Sequence, residues 1–146
     1  MRIYLDTCCL HRPLDDCTQV RVRLEAEAVL GILTAVESGR LQMISSEVLV
    51  FEIHRNPHPQ KQAFVLAIIE SCSTEIQIDD ETELRAISLQ NQGFKAFDAL
   101  HLACAEAGAV DYFCSCDDRL LKKAKLQSDL KMKTMSPLDF IEELAL

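Results

Sequence analysis

The chain has 146 residues, of which 49% are hydrophobic and 26% are charged, and its formal net charge is −8. This length permits one substantial hydrophobic core but not two comfortable domains, and no window approaches the roughly 20 consecutive apolar residues that span a bilayer. Because the first ten residues also lack the basic start and apolar run of a signal peptide, we expect a single domain over residues 1–146 that stays in the cytoplasm and enters no membrane.

Predicted strands and helices alternate along the chain. A short strand opens it at residues 1–5 and ends at a polar turn, Asp6 and Thr7. Apolar residues at helical spacing predict the longest helix from about Thr18 to Ser38, with Gly39 as its stop. The later elements are predicted as a strand at 41–44, a helix from Ser45 or Ser46 to Asn56, a helix at 60–71, a strand at 75–78, helices at 81–90 and 95–107, a strand at 110–114, a short basic helix at 118–125, a weak strand at 132–135 and a last helix from Ser136 and Pro137. Strands separated by helices imply parallel strands joined by crossovers, so the predicted fold class is α/β, a three-layer α/β/α sandwich with a central, mostly parallel sheet.

The seven cysteines are predicted to be reduced and mostly buried. Their number is odd, and six of them lie in or beside apolar stretches: Cys8, Cys9, Cys72, Cys104, Cys114 and Cys116. Cys114 and Cys116 are close enough to suggest zinc, but the second Cys/His pair of a structural zinc site is missing, so zinc is discounted.

Four acids are predicted to gather at one edge of the sheet. Asp6 follows the first strand and Asp117 follows the strand at 110–114, while Glu52 and Asp98 lie on helices that begin at the same edge, where ligands of open α/β sheets bind. Like charges about 4 Å apart repel by several kcal/mol at intermediate dielectric, and a divalent cation removes that cost. Mg²⁺ and Mn²⁺ prefer oxygen ligands and keep waters around a phosphate, which points to phosphodiester hydrolysis.

Purely structural roles also remain open for these acids. Asp6 could cap a turn, and Glu52 could be an ordinary exposed helix residue. Asp98 is harder to explain in that way, because it interrupts one of the least polar helices and a buried acid needs a partner.

Two interpretations are open for Asp117 and for two residues near the acids, Asp118 and His101. Asp117 and Asp118 could together cap the next helix, and the sequence leaves open whether Asp118 is a metal ligand or a cap. His101, one turn beyond Asp98, could act as a general base, but a hydrogen-bonded core histidine is the more common case in so apolar a helix.

The negative net charge is unusual for a protein that binds nucleic acid. The segment 119–133, however, holds six basic residues and one acid, so one flank could be basic, with a solvated helix face as the alternative. Arg119, Lys122 and Lys123 are the candidates for RNA binding. With no Trp and only two Tyr, the chain offers few aromatic rings for base stacking, so specificity would come from shape and from a partner.

Four segments resemble, in order, the motifs of the PIN-domain nucleases. Residues 3–7 resemble the opening strand with its Asp-Thr, and Ser46 followed by Glu52 resembles the second motif. Residues 97–103 are similar to the family's Asp-Ala-x-His-Leu-Ala helix, the most specific of the four. Residues 115–120 resemble its Thr-x-Asp-x-x-Phe element, with Ser for Thr and Leu for Phe.

The resemblance implies an endoribonuclease that depends on Mg²⁺ or Mn²⁺. It also implies a frequent role as the VapC-type toxin of a toxin–antitoxin pair, commonly a homodimer that a cognate antitoxin inhibits. Carried over by position, the metal-binding acids are Asp6, Glu52, Asp98 and Asp117, and the polar residues that support them are Thr7 and Ser115.

Two segments depart from the family pattern. Thr7 is followed by Cys8, Cys9 and Leu10, where many relatives carry Asn and an aliphatic pair, which predicts the loss of a polar contact near the metal. Residues 11–16 form an unusual loop in which Arg12 contacts either substrate or the sheet edge. Because all four acids are present, we expect a competent enzyme.

Two other functions compete with the ribonuclease. A non-catalytic module with the PIN fold, acting as the acidic partner of a basic protein, is favoured by the net charge and opposed by the intact acids. A structure-specific DNA nuclease ranks last, because nothing in the chain resembles the added helical clamp that such an enzyme needs.

Overall fold

The computed structural model describes residues 1–145. Its elements are, in chain order, β1 (Arg2–Leu5), α1 (Thr7–His11), α2 (Val20–Glu37), β2 (Gln42–Met43), β3 (Ser45–Ser46), α3 (Glu47–His54), α4 (Pro59–Glu70), β4 (Glu75–Ile76), α5 (Asp80–Asn91), α6 (Ala96–Ala107), β5 (Tyr112–Cys114), α7 (Asp118–Lys125), β6 (Lys133–Met135) and α8 (Pro137–Leu144). A 3-10 turn at Arg12–Leu14 follows α1.

The main sheet has the strand order β2-β1-β5-β6, and every pairing in it is parallel. The two central strands are short apolar runs that are buried on both faces, as is typical of parallel sheets between layers of helices. Leu5 pairs with Cys114, so β1 and β5 end side by side. The fold therefore brings the residues that follow Leu5 next to those that follow Cys114, and the α/β prediction is confirmed.

The strand predicted at 41–44 is β2 in the structure, and a second short strand, β3, follows it at Ser45–Ser46, where the sequence predicted only the start of a helix. The Ile44 amide still donates to the Ile3 carbonyl at 2.9 Å, but the next amide, of Ser45, donates to the Thr74 carbonyl at 3.0 Å. The chain thus leaves the main sheet at this point, and β3 pairs with β4 in a separate two-stranded parallel sheet. Hydrophobic periodicity does not show this exchange of partners, because Ser45 and Ser46 lack the apolar side chains by which a strand is predicted.

Helix α1 is absent from the sequence prediction, which treated Asp6 and Thr7 as a turn. The Asp6 carboxylate caps the helix by accepting a hydrogen bond from the Cys9 amide at 3.2 Å. With only five residues, the helix is too short to show a helical repeat. The predicted loop at 11–16 accordingly begins with the last residue of α1 and continues into the 3-10 turn.

The helices that carry the acids begin where the sequence predicts. Ser46 caps α3 by accepting from the Leu49 amide at 3.2 Å, and Asp117 caps α7. One cluster of buried apolar residues runs through both sheets and the helices packed on them. Among residues 1–145, no helix combines the length and apolar character needed to span a membrane.

Candidate metal centre

All four predicted acids line the same cavity, which has a volume of about 270 Å³. It lies beyond the carboxyl ends of β1 and β5, where open α/β sheets bind their ligands. Its lining residues are Asp6, Thr7, Cys8, His11, Glu52, Asp98, His101 and Asp117.

Asp6 is the most buried of the four acids. Its Oδ1 accepts hydrogen bonds from the Cys9 amide at 3.2 Å and from the Cys8 thiol at 2.9 Å. Burial raises the pKa of Asp6 well above its usual value, and Cys8 adds to that shift. The Asp6 carboxylate therefore caps α1 and also lines the cavity, so the two roles do not exclude each other.

Glu52 is held by a chain of hydrogen bonds that begins in the core. Its Oε1 accepts from the Thr7 hydroxyl at 2.7 Å and contacts Nε2 of His101. Nδ1 of His101 is 2.6 Å from the Tyr4 hydroxyl, which is in turn 2.6 Å from the Ser46 hydroxyl. An imidazole with its proton on Nε2 satisfies every link, if Ser46 donates to Tyr4 and Tyr4 donates to Nδ1.

These bonds set the charge of Glu52 and the role of His101. Desolvation raises the pKa of Glu52, but the hydrogen bonds and charge of His101, together with the Thr7 hydroxyl, outweigh it, and the net pKa is below the usual value. His101 is buried with both ring nitrogens engaged, so it positions Glu52 and agrees with the core-histidine interpretation.

Asp98 and Asp117 both lie at the beginning of helices. Asp98 is in the first turn of α6, and burial followed by the charge of Asp117 raises its pKa. Asp117 Oδ1 accepts from the amides of Arg119 at 2.9 Å and Leu120 at 3.3 Å. Helix N-termini favour negative charge, which offsets part of the repulsion between the two acids.

The polar residues that the sequence places next to the acids, which are Thr7, Ser115 and Asp118, separate into two groups. Thr7 bonds Glu52, and buried Ser115 accepts from the Asp117 amide at 3.0 Å. Asp118, in contrast, is 69% exposed and forms two hydrogen bonds with Arg21, at 2.7 and 2.6 Å. Asp118 therefore lies outside the cavity and does not provide the cap of α7, which comes from Asp117.

The predicted RNA-binding residues adjoin the acids. A second cavity of about 320 Å³ is lined by Arg119, Lys122 and Lys123, and it shares Asp98 and Asp117 with the first. Positive side chains thus lie beside the carboxylates despite the negative net charge of the whole chain.

Comparison with known proteins identifies the family. Residues 3–126 match the family model of the PIN domain. The chain belongs to the PIN-domain family. The match confirms the resemblance seen in the four sequence motifs. No curated protein matches the sequence significantly.

A solved structure has a fold similar to that of this chain. The crystal structure of VapBC2 from Rickettsia felis bound to a DNA fragment from their promoter has a chain that superposes with a TM-score of 0.60. The two chains are 12% identical, and the similarity covers 92% of this chain and 98% of the other. At this identity the likeness shows the fold alone.

Sequence reasoning missed an aromatic surface on this PIN domain. Phe51 and Phe97, which are 52% and 36% exposed, stack with their ring centroids 6.0 Å apart. The Arg55 guanidinium lies 5.4 Å from the centroid of Phe51. Phe51 directly precedes Glu52, and Phe97 directly precedes Asp98. This shared position next to a predicted acid is the sequence feature that could have indicated the stack.

Tyr4 was also missed as part of the site of the PIN domain. It was treated as an apolar strand residue, yet its hydroxyl connects Ser46 to His101 in the cavity wall. The signal was its burial in a central strand, because a buried tyrosine hydroxyl needs a partner.

The donor set of the PIN domain fits a hard divalent cation that keeps bound water. The acids supply oxygen ligands, and burial raises the pKa values of Asp6 and Asp98. Among residues 1–145, no three carboxylates have oxygens within 4.8 Å of one another. That spacing does not form a closed cage but suits Mg²⁺ or Mn²⁺ with several waters retained.

Proposed function

We propose that this PIN domain is a metal-dependent endoribonuclease that hydrolyses RNA phosphodiester bonds. The observation that carries the proposal is the convergence of Asp6, Glu52, Asp98 and Asp117 on one cavity from four segments of the chain. Two of these carboxylates have a raised pKa, Asp6 through burial and Asp98 through burial and the charge of Asp117, so keeping them ionised in the cavity costs free energy. A function that uses the carboxylates together accounts for that cost.

The protein's own residues would bind and orient the reacting groups. The four carboxylates hold the cation, Thr7 and His101 fix the orientation of Glu52, and Ser115 fixes the turn before Asp117. When bound, Mg²⁺ or Mn²⁺ neutralises charge on the phosphate and makes hydroxide available near neutral pH.

Two surfaces beside the cavity support RNA as the substrate. Arg119, Lys122 and Lys123 can contact the phosphate backbone next to the acids. The exposed stack of Phe51 and Phe97 can receive an unpaired base, which favours single-stranded or looped RNA. The protein therefore has a surface for base stacking although its sequence contains few aromatic residues.

We also propose that the protein is the toxin of a toxin–antitoxin pair, acts as a homodimer in the cytoplasm and is inhibited by a cognate antitoxin. The support is the VapBC2 assembly named for the structural neighbour, together with the family. A non-catalytic binding module is the second candidate, and the net charge of −8 is the observation that favours it.

Cleavage of a pool of fluorescent single-stranded RNAs by the purified chain tests the ribonuclease. We expect cleavage with Mg²⁺ or Mn²⁺, none with EDTA, and a loss of at least about 100-fold in Asp98→Asn. Asp80→Asn is the matched control, because Asp80 is also an aspartate in the first turn of a helix but is exposed and outside the cavity. Equal cleavage by both variants would reject the proposed site, and metal-independent complex formation without cleavage would favour the binding module.

A further inference from the structure

Three thiols form a cluster beside the carboxylate cavity. The Sγ atoms of Cys8, Cys9 and Cys116 all lie within 4.8 Å of one another, and those of Cys9 and Cys116 are 3.7 Å apart. Cys9 and Cys116 are buried, and Cys8 is half-buried. We call these three residues the thiol cluster.

The fold creates the thiol cluster from distant segments. Cys8 and Cys9 are in α1, directly after β1, and Cys116 lies between β5 and α7. They meet because β1 and β5 are parallel neighbours that end at the same edge. Cys114, which the sequence pairs with Cys116, is in β5 and is not a member of the cluster.

The spacing of the sulphur atoms matches that around a single metal ion. Metal–thiolate bonds of about 2.3 Å, at tetrahedral to trigonal angles, place sulphurs about 3.8–4.0 Å apart. The observed separations begin at 3.7 Å and do not exceed 4.8 Å, so small side-chain movements suffice. Thiolates select soft or borderline cations, whereas the neighbouring carboxylates select hard ones.

The surroundings supply charge compensation and access. The Arg12 guanidinium, which is also paired with Asp15 and Glu25, lies near Cys116, and its positive charge offsets part of the charge of clustered thiolates. Cys8 lines the carboxylate cavity, which gives an ion a route to the buried sulphurs. The Ser115 hydroxyl is 3.6 Å from the Cys8 sulphur and offers an oxygen for a fourth position.

We propose that Cys8, Cys9 and Cys116 bind one thiophilic divalent cation, of the class of Zn²⁺ and Cd²⁺, at a site separate from the carboxylates. The site goes beyond the proposed ribonuclease and does not depend on it.

Titration of the reduced full chain with Cd²⁺, in the presence of excess Mg²⁺, tests the proposal. Thiolate-to-cadmium charge transfer in the ultraviolet reports sulphur ligation and ignores carboxylates. We expect one Cd²⁺ per chain, and affinity at least about tenfold weaker in Cys8→Ser and in Cys116→Ser. Cys72→Ser is the matched control, because Cys72 is a half-buried thiol outside the cluster and should leave the affinity unchanged.

Circular dichroism checks that each variant is folded. If Cys116→Ser fails to fold, Cys8→Ser carries the test, because Cys8 is only half-buried and serine can still donate to Asp6. We expect Asp98→Asn to keep the charge-transfer signal, which separates this site from the proposed nuclease centre.

Three results would overturn the proposal. A signal lost in Asp98→Asn would show that the ion needs the carboxylates as well as the thiols, so that the site is not separate. Unchanged affinity in both cluster variants would assign the ion to other cysteines. A reduced protein that gives no signal, but forms a Cys9–Cys116 disulfide on oxidation, would make the cluster a redox pair instead.

Discussion

Binding of Mn²⁺ to the cavity should stabilise the folded chain, and Asp98→Asn should remove most of that effect. The reason is that a ligand bound only to the folded state adds RT ln(1 + [L]/Kd) to the free energy of unfolding. At a Mn²⁺ concentration of about 100 Kd, the gain is about 2.7 kcal/mol. For a chain of this size each kcal/mol moves the melting temperature by about 2–4 °C, so the wild type should gain about 5–11 °C.

The loss in the variant follows from the position of Asp98. It is half-buried, lines the cavity with three other acids, and its pKa is raised by burial and by Asp117. If its removal weakens Mn²⁺ binding about 100-fold, the same Mn²⁺ concentration gives about 0.4 kcal/mol, or about 1–2 °C. Without metal, the variant should melt no lower than the wild type, because a partly desolvated, repelled charge has been removed.

Differential scanning fluorimetry of both proteins, with and without Mn²⁺, measures the two effects. Asp80→Asn is again the control and should respond to Mn²⁺ as the wild type does. Equal shifts in wild type and Asp98→Asn, or no shift in either, would refute the reasoning and move the function towards the binding module.

Three further predictions use other features of the site. Because burial raises the pKa of two cavity carboxylates, the folded metal-free chain binds protons that the unfolded chain has released, so these two groups stabilise it increasingly as the pH falls from 7 towards about 4. Acids with a lowered pKa, such as Glu52, act in the opposite direction, so the test is the difference between the wild type and Asp98→Asn in urea denaturation. This difference should shift in favour of the wild type as the pH falls, and a difference independent of pH would contradict the reasoning. Tyr4→Phe removes a buried hydroxyl that joins a serine to a histidine, so we expect a loss of about 1–3 kcal/mol in urea denaturation and slower RNA cleavage with the Mn²⁺ response retained. Replacing Lys122 and Lys123 by Glu should weaken RNA binding and flatten its salt dependence, and binding equal to that of the same swap at Lys125 and Lys131 would exclude this surface.

The sequence predicted the main sheet and the acids for the same physical reason. Buried parallel strands are continuous apolar runs, and a polar residue directly after such a run is placed at the carboxyl edge by the topology. Asp6 and Asp117 were located in this way. Glu52 and Asp98 were located on helices that follow loops at the same edge, and the four motifs of the PIN-domain family selected the same acids. The extent of the domain, the localisation and the homodimer stay predictions.

The features that the sequence did not predict depend on contacts between distant segments. Helix α1 is stabilised by a single carboxylate cap, and the strand at 41–44 ends where its partner changes. The thiol cluster and the Phe51–Phe97 stack join residues that are 107 and 46 positions apart. No local pattern encodes such pairs, because each residue alone looks like ordinary core or surface.

The order of the strands delays the cavity during protein synthesis. Asp6 is translated long before β5, the strand that brings Asp117 beside it and that ends at Cys114. A nascent chain that ends before β5 has Asp6 and Glu52 but neither β5 nor the start of α7, so its cavity lacks part of the wall. A protein that cuts RNA, as proposed here, would therefore stay harmless to the ribosome and message producing it until the segment from β1 to the start of α7 had been translated.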